Sequence, residues 1–183
     1  VILHRCFAWE RRGAPDAPGG ALWFARPFQG DGRHDNPDHY ACLYVAELAV
    51  SAVVEQLARF RGNVLVPGML RRRGLPLALA TLELDERARL IDLDSPQVLA
   101  ARGLRPSLVA TRRRERTQPQ AMAIHAEGAD GLRWWSTFES LWLNLTLFDR
   151  AAQRLRLGDV RMLGPGDPAL REALELLGIA PGR

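Results

Sequence analysis

The stretch Cys42-Leu43-Tyr44-Val45-Ala46-Glu47-Leu48-Ala49-Val50-Ser51-Ala52-Val53-Val54-Glu55-Gln56-Leu57-Ala58-Arg59-Phe60 changes its period in mid-course. Its first five residues form a compact β-prone run. From Glu47 to Phe60 the apolar residues Val50, Val53, Val54, Leu57 and Phe60 recur at the three-and-four spacing of a helix face. A strand feeding a helix follows. Upstream, the first forty residues are rich in Gly, Pro and Asp, with Ile2–Phe7 a short strand, Gly13–Gly20 a loop and little helix. Downstream, Leu77–Leu84 and Ala88–Leu93 flank Asp85-Glu86-Arg87 and predict a β-hairpin. Ser95-Pro96 and Arg105-Pro106 place Pro near helix starts, with Gly103 as a stop between them. Thr117-Gln118-Pro119-Gln120 reads as another helix entry, leading into Ala121–Ala126 and ending at Glu127-Gly128. Gly131–Ser136 and Leu141–Phe148 are strand candidates. Asp167-Pro168 opens a closing helix that Gly178 ends. The fold class is mixed α+β, in a single domain.

Composition agrees with a folded domain. At 183 residues, 47% hydrophobic and 25% charged, the chain has ordinary globular usage and room for a real core. No apolar run reaches the roughly 18–20 residues of a membrane helix, and Val1–Arg12 shows no leader pattern, so the expected location is cytoplasmic, with no membrane partner. Cys6 and Cys42 are expected to be two free thiols. The formal charge is +4, and all 25 basic residues are Arg, a bias that GC-rich coding would give. Arg71-Arg72-Arg73 and Arg112-Arg113-Arg114-Glu115-Arg116 read as solvated faces or as a phosphate-backbone patch. No helix-turn-helix, zinc-finger or aromatic RNA-binding pattern accompanies them, so direct nucleic-acid binding is not expected. An Arg-rich nucleic-acid-binding module is the non-enzymatic alternative.

Chemistry concentrates between Gly30 and Glu55. Gly30-Asp31-Gly32-Arg33-His34-Asp35-Asn36-Pro37 is a turn-rich loop carrying Arg33, whose guanidinium fork suits phosphate oxygens; the plainer reading pairs it with Asp31 or Asp35. Tyr44 lies in the β run and Glu55 in the helix, on a side lined by Ser51, Ala52 and Ala58. A surface Glu55–Arg59 pair is the alternative there. His34, His39 and Cys42 with Asp35 and Asp38 suggest a metal site, but no second Cys/His pair completes one. His39 and Cys42 are read as a loop His and a buried thiol, with no metal expected, and Trp134-Trp135 as core.

In this order, Arg33 in a Gly-rich loop, Leu43-Tyr44-Val45-Ala46, a helix with Glu55, Gly131-Leu132-Arg133-Trp134-Trp135-Ser136 and Asn144-Leu145-Thr146-Leu147-Phe148 resemble the RES-domain family, over roughly Leu3 to Phe148. The family's usual Gly-Gly-Arg-aromatic-Asn loop is here Gly30-Asp31-Gly32-Arg33-His34-Asp35-Asn36, with His34 in the aromatic's place and the Asn displaced by one. His4 also stands where an aromatic is more usual, and the stretch around Arg61–Leu75 looks like an insertion. The resemblance implies a fold similar to ADP-ribosyltransferases, with residues 1–148 as the catalytic domain and 149–183 as a helical extension of it. It further implies an NAD-degrading bacterial toxin, with phosphorolysis to nicotinamide and ADP-ribose phosphate as the expected reaction and hydrolysis or ADP-ribosylation as alternatives. Glu55, Arg33 and Ser136 would be catalytic, with Ser136 favoured over Ser140 because it follows the Gly-Leu-x-Trp strand; Arg5, Tyr44 and Asn144 would bind substrate. No cofactor is implied: NAD is substrate and inorganic phosphate a possible co-substrate. The implied protein partner is a cognate Xre-type antitoxin.

Overall fold

A computed structural model of the chain describes residues 1–182. It is a mixed α+β protein with eight strands in a mixed sheet: β1 (Ile2–Ala8), β2 (Cys42–Ala46), β3 (Arg71–Arg72), β4 (Leu75–Leu84), β5 (Leu90–Asp92), β6 (Gly131–Trp135), β7 (Leu143–Phe148) and β8 (Leu155–Met162). The helices are α1 (Ala49–Leu57), α2 (Pro96–Ala101), α3 (Pro106–Val109), α4 (Arg114–Ala126) and α5 (Pro168–Leu177). No helix among the described residues is long and apolar enough to cross a membrane.

Two compact units interleave along the chain. The first comprises Val1, Phe24–Val45 and Leu84–Leu155; the second comprises Ile2–Trp23, Ala46–Glu83 and the chain from Arg156 onward. In the first, the strand order is β2-β7-β6-β5, with β6 and β7 antiparallel and β5 parallel to β6. Its core packs Tyr40, Leu93, Ile124, Leu132 and Phe148 under α4 and β6. Each such side chain contributes roughly 1.5–3 kcal/mol by leaving water. In the second unit β4 lies between β1 and β3 and also pairs with β8, while α1 packs against β1 and α5.

The expected hairpin over residues 77–93 does not form. β4 pairs with β1, whereas β5 takes β6 as a parallel partner, Leu90 opposite Gly131. α4 also begins earlier than its Pro suggests: Arg114 opens it and Pro119 lies inside. A mid-helix Pro leaves the carbonyl four residues back without its amide. The helix is kept by docking: Gln118 Nε2 donates to the carbonyls of Gly30 and Gly32 at 3.1 and 3.0 Å, and its own carbonyl accepts from Asn36 Nδ2 at 3.1 Å.

α5 has the predicted limits. Asp167 Oδ1 accepts from the amides of Ala169 and Leu170, and Gly178 closes the helix at φ 61°, left-handed backbone that favours glycine. Burial pushes the Asp167 carboxyl upward. The Arg161 guanidinium, bonded at 2.7 Å, and the two amides outweigh it and hold the net pKa below the ordinary value. Asp167→Ala is therefore expected to cost about 1–2 kcal/mol in urea unfolding at neutral pH. The folded pKa is depressed, so this stability is present above the unfolded carboxyl range and is lost as pH falls through the folded value. Wild type and variant should converge in acid; a gap that persists there would locate the effect in packing instead.

Both cysteines are free and buried. Burial pushes the Cys6 thiol up to about 12 and raises Cys42 further, so both are protonated and unreactive at neutral pH.

Candidate active site

The loop 30–36 is organised by one carboxylate. Asp35, almost fully buried, accepts the amides of Gly30 and Gly32 on Oδ2 at 2.8 and 2.7 Å, and the Tyr44 hydroxyl on Oδ1 at 2.6 Å. The Tyr44 oxygen in turn accepts the His34 amide at 3.0 Å. This closeness explains Gly32: a Cβ there would fall 2.5 Å from both Asp35 Oδ1 and the Tyr44 oxygen. Burial, with the nearby Cys42 and Asp35, raises the Tyr44 pKa well above its ordinary value. The phenol is a fixed donor, with its hydroxyl committed to the loop.

Arg33 leaves this loop toward β6. Its guanidinium lies 4.3 Å over the Trp134 ring, a cation–π contact, and Nη1 donates to the Val109 carbonyl at 3.2 Å. Asp31 pairs with Arg114 at 2.9 Å, and Asp35 is engaged as above. The Thr117 hydroxyl of α4 donates to the Arg33 carbonyl, so loop and helix are tied at the backbone as well. His34 is buried, with Nδ1 2.7 Å from the Thr146 hydroxyl and its ring edge-on to Trp134 at 5.3 Å. Burial, then the Arg33 charge, lowers its pKa well below the ordinary value, so it is neutral.

Ser136 follows β6 and is buried, while Ser140 is exposed. The Ser136 Oγ accepts the Phe138 amide at 3.1 Å and its own amide donates to the Trp142 carbonyl, which closes the β6–β7 loop on itself. Asn144 is buried on β7, directly opposite Trp134, so the two share a sheet face with Thr146. The first unit thus carries Arg33, Tyr44, Ser136 and Asn144. Trp134 of the Trp pair is indeed core. Cys42 is buried, with its thiol donating to the His34 carbonyl, and His39 is exposed.

Arg5 and Glu55 belong to the second unit. Arg5 donates to the carbonyls of Gly20, Ala21 and Trp23, and so anchors the chain that returns from the Gly-rich segment. Burial lowers its pKa to about 9, against which neighbouring Cys6 raises it and Arg72 lowers it again; it remains charged at neutral pH. Glu55 is half-buried in α1, one turn beyond the fully buried Ser51. Arg59, one turn further, lies over the Phe60 ring at 4.7 Å, and Gln56 accepts from Arg72 at 3.1 Å.

Asp35, Thr146 and Gln118 build the loop's setting and carry no sequence signal of their own beyond the Asp in a Gly-rich turn. A mixed α+β domain with an acid-braced glycine loop presenting Arg on an indole defines the class. The RES domain model matches residues 3–163, and the chain belongs to that family. A chain in the crystal structure of the M. tuberculosis MbcT–MbcA toxin–antitoxin complex has the same fold, with TM-score 0.68 and 21% identity, over 97% of this chain and 88% of that one. No curated protein sequence matches.

Proposed function

We propose that the protein cleaves the nicotinamide–ribose bond of NAD, with inorganic phosphate as acceptor, and acts as a toxin restrained by an antitoxin. The observation that carries this reading is the Arg33 guanidinium, preset over the Trp134 ring and by the Val109 carbonyl. A guanidinium fixed before ligand arrives loses little entropy on gripping phosphate oxygens. Membership of the RES family supports it.

In the proposed reaction a phosphate oxygen attacks the ribose carbon as the C–N bond breaks. The bond's electron pair passes to the pyridine nitrogen and discharges its positive charge, giving nicotinamide and ADP-ribose phosphate. Positive charge builds on the ribose as the bond opens, and the Glu55 carboxylate would stabilise it. Arg33 and Arg5 would hold pyrophosphate or the attacking phosphate. Tyr44 would stack on nicotinamide through its ring, and Ser136 and Asn144 would orient amide and ribose by hydrogen bonding. No metal or cofactor takes part, so a chelator should leave the rate unchanged.

The test is incubation of purified protein with NAD, with and without inorganic phosphate, followed by product masses. ADP-ribose phosphate formed only with phosphate supports phosphorolysis. ADP-ribose in both arms would mean hydrolysis, and mass added to a protein would mean ADP-ribosylation. NAD unchanged in both arms sinks the enzyme reading. The solved structure that shares this fold is a toxin–antitoxin complex, which supports a restraining partner; we read that partner as an antitoxin of Xre type. Expressed alone in a bacterium, the chain should arrest growth and lower NAD, and coexpression of its genomic neighbour should reverse both. Harmless expression of folded protein would count against the toxin role.

A further inference from the structure

Thr146 is fully buried on β7, and its hydroxyl joins the two aromatic side chains beside Arg33. Indole N–H can only donate, so Thr146 Oγ1 accepts from Trp134 Nε1 at 3.1 Å. The same hydroxyl lies 2.7 Å from His34 Nδ1, as donor or acceptor according to the imidazole tautomer, and so holds that ring as well. Trp134 is consequently held at its edge by Thr146 and at its ring by the edge-on His34, at 5.3 Å and 81°. The indole so fixed is the surface on which the Arg33 guanidinium lies.

We propose that Thr146 is a positioning residue for Arg33: its hydroxyl fixes Trp134 and His34 together, and so sets where the guanidinium meets a phosphate oxygen. This rests on the phosphate-binding reading of Arg33. A cation–π contact depends on the cation standing over the ring face, so an indole free to turn about its side-chain bonds carries the guanidinium away from one place. Thr146→Val keeps the shape and removes both hydrogen bonds. Thr146→Ser keeps the hydroxyl.

The experiment is steady-state kinetics of the full chain with NAD and inorganic phosphate as the varied substrates, alongside thermal melting. Thr146→Val should raise the KM of whichever substrate Arg33→Ala affects by about tenfold, with kcat changed less than about threefold, an order of magnitude set by the loss of a desolvated cation–π contact. Thr146→Ser should bring that KM back toward wild type. A purely structural Thr146 would shift the melting midpoint and leave KM alone. Folded Thr146→Val with both KM values at wild type, beside an impaired Arg33→Ala, overturns the positioning role and leaves the Arg33 reading intact. Both variants at wild type, or no turnover by the wild type, overturn the two together. Should Thr146→Val fail to fold, Trp134→Phe keeps an aromatic face without the N–H, and an unchanged KM there overturns the proposal equally.

Discussion

Glu55→Gln is expected to slow NAD turnover by about 100- to 1,000-fold, the usual loss when one charge-stabilising group is removed from a transition state, with little change in melting midpoint. The substitution keeps volume and most hydrogen-bonding reach, and replaces a charge by a dipole. α1 owes its place to Val50, Val53, Val54 and Leu57, all buried, and none of these contacts is touched. If Glu55 were an ordinary helix-face acid, its loss would cost about 0.2–0.5 kcal/mol of stability and nothing in rate. The two outcomes therefore differ in kind. Initial rates at saturating NAD, measured on protein whose melt matches wild type, decide between them. A near-wild-type rate removes Glu55 from the chemistry.

Elements whose signals are local were legible. β2 and α1 follow from one change of period, and α5 from Asp167, Pro168 and Gly178 at its two ends. β5 was legible as a strand within Ala88–Leu93 but its pairing was not, because its partner is not its neighbour: Leu90 pairs with Gly131 in parallel, and nothing between Asp85 and Leu93 can announce a strand arriving from so far along the chain. β8 was missed because Arg156, Asp159 and Arg161 break its apolar pattern; only Leu155 is buried along it. α4 was started late because Pro is commonest in a first turn, whereas here the loop contacts of Gln118 and Thr117 support a Pro in the interior. The same distinction holds at the site. Arg33, Tyr44 and Glu55 stand out by residue type and setting, but Thr146 next to His34 is a contact between residues 112 apart, and no spacing rule reaches it.

Arg33→Ala should lower kcat/KM by about 30- to several-thousand-fold, the range expected when one partner of a hydrogen-bonded charge pair is removed, roughly 2–5 kcal/mol. Arg33→Lys should recover less than about tenfold of that loss, since it restores charge without the planar fork or the stacking on Trp134. The kinetic constant that moves identifies the anion. A guanidinium on the dinucleotide pyrophosphate binds ground state and transition state alike, so KM for NAD rises while kcat at saturation holds. A guanidinium on the attacking phosphate instead raises KM for phosphate, and at fixed phosphate the apparent kcat falls until more is added. Val109 bears on the second case: its carbonyl already takes one N–H from Nη1, so the fork reaches ligand with its plane set by α3 as well as by the indole. Wild-type constants for both substrates in Arg33→Ala would withdraw the residue from catalysis and leave its contacts with Trp134 and Val109 as packing.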